Sequence, residues 1–122
     1  MRFVSSALSV VVVVVAGCEQ PGTNCTLEAA ASVNVEVRDI DGAAVVDADV
    51  RYTVDGGDSE ACDNFDDGRY ACGYEIAGEF VVTATKAGYA AAQNGVTVKD
   101  DECHVVGESL DLLLLKSGPA LP

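Results

Sequence analysis

From Ser32 onward, hydrophobic and polar residues alternate along the chain. Val33, Val35 and Val37 fall on one side of an extended backbone, with Asn34, Glu36 and Arg38 on the other, which predicts a strand with one buried face. Asp39-Ile40-Asp41-Gly42 reads as a turn, after which Ala48, Val50, Tyr52 and Val54 alternate with Asp47, Asp49, Arg51 and Thr53 in a second strand. Asp55-Gly56-Gly57-Asp58 is the next break. Further along, Phe80, Val82 and Ala84 alternate with Val81, Thr83 and Thr85, and Ala87-Gly88-Tyr89 closes that strand. Ala90 to Gln93 is expected as a short helical turn, Asn94-Gly95 as a turn, and Val96 with Val98 as a short strand. Cys103 to Lys116 is expected as a last strand, with a β-bulge where Gly107 and Glu108 break the alternation. A helix over Leu110–Leu115 is the competing reading, but a run this short is marginal on its own.

The stretch Glu60–Tyr74 can be read to the residue. Asp66-Asp67-Gly68 forms a three-residue hairpin loop, in which Gly68 takes the left-handed conformation such loops need. Closing Phe65 against Arg69 places Asn64 opposite Tyr70 and Cys62 opposite Cys72. Opposed hairpin residues have Cβ atoms about 4.5–5.5 Å apart, close enough for a disulfide after a small adjustment. The expected pairs are therefore Cys62 with Cys72 and, by remainder, Cys25 with Cys103. Seven short strands with almost no helix signal predict an all-β, seven-stranded β-sandwich.

The opening segment follows a different logic. Arg2, an apolar run ending at Val15 and the small residues Ala16 and Gly17 have the layout of an export signal. The run is too short for a transmembrane helix, which takes about 20 apolar residues. Val15-Ala16-Gly17-Cys18 resembles the bacterial lipobox, which implies cleavage before Cys18, lipidation of Cys18 and a lipid-anchored protein of the bacterial cell envelope, at the outer membrane. The expected divisions are a signal segment 1–17, a lipidated cysteine and tether 18–31, a sandwich 32–116 and a tail 117–122. Glu19–Asn24 is polar, and six extended residues reach roughly 20 Å. Asn24-Cys25-Thr26 has the form of a glycosylation acceptor, read as coincidence in a bacterial lipoprotein. Five cysteines in all, one lipidated, leave an even four to pair.

Composition narrows the function classes. Beyond residue 17 lie six basic and 20 acidic residues, a formal charge of −14. That balance opposes binding to nucleic acid, whose phosphates it repels, and favours solubility or basic partners. The many valines and regular alternation argue against a disordered acidic chain.

The order Val33-Asn34-Val35-Glu36-Val37, Asp41-Gly42, Ala48-Asp49-Val50, Asp67-Gly68-Arg69-Tyr70, Gly78-Glu79-Phe80-Val81-Val82 and Gly88-Tyr89 resembles the carboxypeptidase regulatory-like domain, which is transthyretin-like. The resemblance spans roughly Ser32 to Leu115. It implies a Greek-key sandwich with an accessory role in folding, binding or display, and no catalytic residues to carry over. The four cysteines are a departure from the family pattern. Tyr70, Phe80 and Tyr89 are expected as the large core side chains.

Little reactive chemistry stands out. His104 has Cys103 beside it, which is expected in a disulfide rather than as a nucleophile. Cys62 and Cys72 lack zinc-ligand spacing. The acidic turns are weak calcium candidates, Asp39 and Asp41 with Asp47 and Asp49, or Asp66 and Asp67 with Asp63, though none has the spacing of an EF-hand loop. No cofactor is expected. The leading expectation is a non-enzymatic, membrane-anchored lipoprotein whose sandwich has structural or protein-interaction roles with a partner the sequence does not name. The alternative is a module that binds glycan, peptide or calcium through acidic loops.

Overall fold

A computed structural model describes Cys25 and residues 27–117. The expected signal segment, Cys18, the tether through Asn24 and the chain beyond Ser117 lie outside those residues. The described chain is all-β: β1 (Ala31–Asp39), β2 (Asp49–Val54), β3 (Glu60–Ala61), β4 (Asp63–Asn64), β5 (Arg69–Tyr74), β6 (Gly78–Thr85), β7 (Tyr89–Ala90), β8 (Ala92–Asp100), β9 (Val105–Val106) and β10 (Glu108–Lys116). Two five-stranded sheets form, in the orders β4-β5-β1-β10-β7 and β3-β2-β6-β8-β9. They curl around one hydrophobic core.

The alternation explains the faces. Val33, Val35 and Val37 of β1 and Leu110, Leu112 and Leu114 of β10 point inward, against Phe80, Val82 and Ala84 of β6. Tyr70 and Cys72 of β5 complete this layer, and Tyr52 stacks on Phe80 with ring centroids 5.4 Å apart. Tyr89, expected in the core, packs against it while half-buried. Strands β1 and β10 run parallel, Val33 beside Glu108 and Leu112 beside Val37.

Ten segments replace the seven expected strands because three extended stretches change sheets. Residues 60–64 pair first with β2 and then with β5, crossing at Cys62. Residues 89–100 leave β10 for β6 at Ala91, and residues 105–116 leave β8 for β1 at Gly107. Strands that switch sheets turn the corners of a sandwich. The break at Gly107 is therefore a corner, where the expectation was a bulge; a Cβ there would lie 3.1 Å from the Ala31 carbonyl oxygen.

Two local expectations are corrected. Ala90–Gln93 is extended rather than helical: Ala90 pairs with Leu115, Ala92 with Ala84 and Gln93 with Thr83. Asn94-Gly95 lies inside β8 opposite Val82 and Val81. Gly95 serves a close approach there, since a Cβ would meet the Phe80 carbonyl oxygen at 3.1 Å. Ser117, assigned to the tail, donates its N–H to the Gly88 carbonyl at 2.9 Å. Leu110–Leu115 is strand, as the alternation favoured.

The two ends of the sandwich carry different segments. At the near end lie residues 27–30 and the connections 55–59, 75–77 and 101–104. At the far end lie the connections 40–48, 65–68 and 86–88, together with Ser117.

Candidate functional site

The four cysteines of the described chain form two bonds. Asn64 pairs with Tyr70 across the hairpin and Asp63 with Ala71, which brings Cys62 against Cys72 with Cα atoms 4.4 Å apart. Asp66 and Gly68 in the loop have φ of 64° and 92°. Cys25 bonds Cys103 with Cα atoms 5.2 Å apart, which pins the chain ahead of β1 to the β8–β9 connection.

His104 belongs to a network at that same near end, and its ring Nδ1 faces the Glu75 carboxylate. Glu75 Oε2 also accepts the Ala30 N–H at 2.6 Å, while Oε1 accepts the Val105 N–H at 3.2 Å. The Ala30 amide, then the His104 ring and the Val105 amide, hold the Glu75 carboxyl below its ordinary range. Asp101 Oδ1 accepts the N–H groups of Cys103 and His104 at 2.8 and 2.9 Å, and these lower its pKa, the His104 amide foremost. Glu75 sits at φ 57°, a left-handed conformation rare for this residue type. Sequence reading missed Glu75, because its three partners come from distant segments; the one available signal was a turn between Tyr74 and Gly78.

The calcium candidates turn to local work. Asp39 Oδ1 accepts the N–H groups of Asp41 and Ala43 at 2.9 and 3.0 Å, an Asx-type turn. Asp67 grips Arg69 at 2.6 Å, which lowers the carboxyl pKa and raises that of the guanidinium. The Asp66 N–H donates to the Asn64 side chain at 2.7 Å. Asp47 pairs with Lys86 at 2.6 Å and Asp49 with Arg51 at 3.3 Å. Asp63 accepts the Tyr74 hydroxyl at 2.8 Å. Among the described residues, no group of three or more His, Cys, Asp or Glu side chains gathers as metal ligands.

The outer face of the first sheet carries a shallow groove of about 650 Å³ lined by Asn34, Glu36, Phe65, Arg69, Ser109 and Asp111, with backbone from the strands beneath. Its side chains are the outward positions of three adjacent strands: Asn34 lies beside Ser109, Glu36 beside Asp111, and Arg69 beside Glu36. Phe65 stands 52% exposed at one end, and Leu113, the next outward residue of β10, is 51% exposed. Arg38 pairs with Glu36, and Asp111 adds to the negative field that raises its pKa. The floor therefore combines apolar surface, both signs of charge and uncharged polar groups, a composition suited to a peptide segment.

No family model matches the chain, and no curated protein does. Among solved structures, the chain is similar to the Caf1A usher C-terminal domain, described for conserved surface hydrophobic clusters important for F1 antigen assembly. The TM-score is 0.37, with 11% identity over 70% of this chain and 98% of that one.

Proposed function

We propose that this protein is a bacterial envelope lipoprotein, anchored through Cys18, whose β-sandwich serves protein interaction rather than catalysis. Cysteine accounting carries the reading: Cys25 with Cys103 and Cys62 with Cys72 use four of the five cysteines. Cys18 is the fifth cysteine, and it stands at the lipobox-like Val15-Ala16-Gly17-Cys18. Two disulfides also suit an oxidising compartment outside the cytoplasm. Anchoring by multiple acyl chains is stable, where one chain is marginal.

The sandwich is assigned to the carboxypeptidase regulatory-like, transthyretin-like Greek key on the order of its turn and core motifs. Two curled sheets with Val33, Val35, Val37, Tyr70, Phe80 and Val82 in a shared core support that assignment. The interaction role is supported by the mixed groove on the first sheet and by a charge that favours basic partners. The peptide form of the ligand-module reading meets this one at the same groove.

Mass spectrometry of the N-terminal peptide from the membrane fraction tests the anchor. A diacylglycerol-modified Cys18 is expected, and Cys18→Ala is expected to move the protein out of that fraction; an unmodified Cys18 in a soluble protein overturns it. Site-directed cross-linking from the membrane-anchored protein tests the interaction role over the whole surface.

A further inference from the structure

We propose that the outer edge of β10, from Ser109 to Leu113, is a docking rail onto which a cationic extended segment of a partner protein adds as a strand. This deepens the interaction reading above and rests on it. The observation behind it is an asymmetry between the two long sides of the sandwich. On one side, β2 and β5 are six residues each and about half of each edge is covered: Arg51 and Tyr52 pair with β3 and Tyr70 and Ala71 with β4, with the Cys62 N–H further bonded to Val50 and the Phe65 N–H to Arg69, whereas β8 and β10 on the other side are nine residues each. On the other, β7 covers β10 only at Leu115 and Lys116, and β9 covers β8 only at Lys99 and Asp100.

Backbone alternation shows which groups face this gap. The Ser117 N–H bonds Gly88 on the β7 side, so the odd-numbered residues of β10 direct their N–H and C=O groups away from β1. Ser109, Asp111 and Leu113 continue that row, and among the described residues no strand pairs with them there. The facing edge of β8 is different: the Asn94 side chain accepts the Gly95 N–H at 2.8 Å, which caps the middle of that edge from within its own strand. Unpaired rows of this kind are templates for strand addition.

The outward side chains of the same row define the occupant. Asp111 and Leu113 would stand beside the side chains of an added strand, at about 4.5–5.5 Å for opposed positions. A basic residue fits beside Asp111 and an apolar one beside Leu113, with the groove continuing past them to Glu36 and Phe65. A second copy of this chain fits poorly. Pairing two β10 edges antiparallel about Asp111 would set that carboxylate against its twin, in copies each carrying −14 beyond residue 17.

The probe is an acetylated Lys-Thr-Val-Thr-Lys-Thr-Val peptide with a C-terminal fluorophore, which sets Lys and Val two residues apart on one face, added to the full-length chain in detergent micelles, with residue-resolved amide exchange and fluorescence anisotropy as readouts. Exchange at Asp111 and Leu113 is expected to slow at least fivefold, with no change at Arg51 or Thr83 on the other sheet. Leu113→Pro removes one outward N–H at an edge position where proline is tolerated and is expected to weaken binding at least tenfold. Asp111→Lys keeps the backbone and is expected to weaken it at least threefold, so the charge argument stays testable if the proline variant fails to fold. Protection of Asp111 and Leu113 before the probe is added, undiminished binding by folded Leu113→Pro, or no binding by the unaltered chain overturns the rail. The interaction reading survives those results if cross-links from the anchored protein map to another face, and falls if no face yields any.

Discussion

The Tyr70 hydroxyl, carried by β5, donates to the Val45 carbonyl at 2.8 Å and at the same time accepts the Ala48 N–H at 3.2 Å. All three residues are buried. One phenol thus satisfies both backbone groups of the β1–β2 connection where it dips into the core, a place where an unpaired group is costly. Tyr70→Phe is expected to cost about 1–3 kcal/mol, seen as a melting temperature lowered by about 4–8 °C per kcal/mol in a domain of this size. Tyr74→Phe, which removes an exposed hydroxyl contact to Asp63, is expected to be near neutral in the same melt.

The two disulfides should differ in worth. The chain-entropy relation gives about 4.5 kcal/mol for Cys25–Cys103 and about 2.7 kcal/mol for Cys62–Cys72, from sequence separations of 78 and 10. Urea unfolding of the paired alanine variants is expected to rank them in that order. A larger loss from the hairpin pair would show that packing of the buried Cys72 outweighs loop closure.

Glu75 should govern part of the acid limb of stability. Its pKa is lowered in the folded state, so the stabilisation is fully present above the ordinary carboxyl value of 4.5 and is lost as pH falls through the lowered value. Glu75→Gln is expected to flatten the stability profile below pH 4.5. Denaturation midpoints across that range check it, and an unaltered acid limb would assign the effect to Asp101, Asp47 and Asp67, whose pKa values are also lowered.

Two turn glycines separate backbone strain from crowding. Gly42 at φ 85° has open space where a Cβ would stand, while Gly68 at φ 92° would place one 2.6 Å from the Ala44 Cβ. Gly42→Ala is expected to cost about 1–2 kcal/mol from the left-handed backbone alone. Gly68→Ala is expected to exceed it, because the β1–β2 connection must also give way. Equal losses in thermal melts would locate the whole cost in the backbone.

Much of this fold was legible where the controlling interactions are local. The hairpin loop at Asp66-Asp67-Gly68 set the register that opposes Cys62 and Cys72, because a short loop leaves few ways to close. Asn94-Gly95 was misread for the complementary reason. A turn signal depends on the same small side chain that lets Gly95 pass the Phe80 carbonyl within a strand, and only the neighbouring strand distinguishes the two. Asp39 and Asp67 were visible as acidic turn residues, yet their oxygens are engaged by backbone amides and by Arg69. Glu75 left no pattern, since its partners lie 45, 29 and 30 residues away.

By itself, the sequence determined which side of each strand faces the core, the hairpin disulfide and the lipobox-like Val15-Ala16-Gly17-Cys18, all set by residues close together in the chain. Only the tertiary structure decided that residues 60–64, 89–100 and 105–116 change sheets, that Glu75 joins three segments, and that no strand among the described residues pairs with the outer edge of β10 from Ser109 to Leu113. Side-chain alternation records inside and outside, a property of one strand. Backbone pairing is a relation between strands far apart in sequence, and the amide groups that make it are the same in every residue.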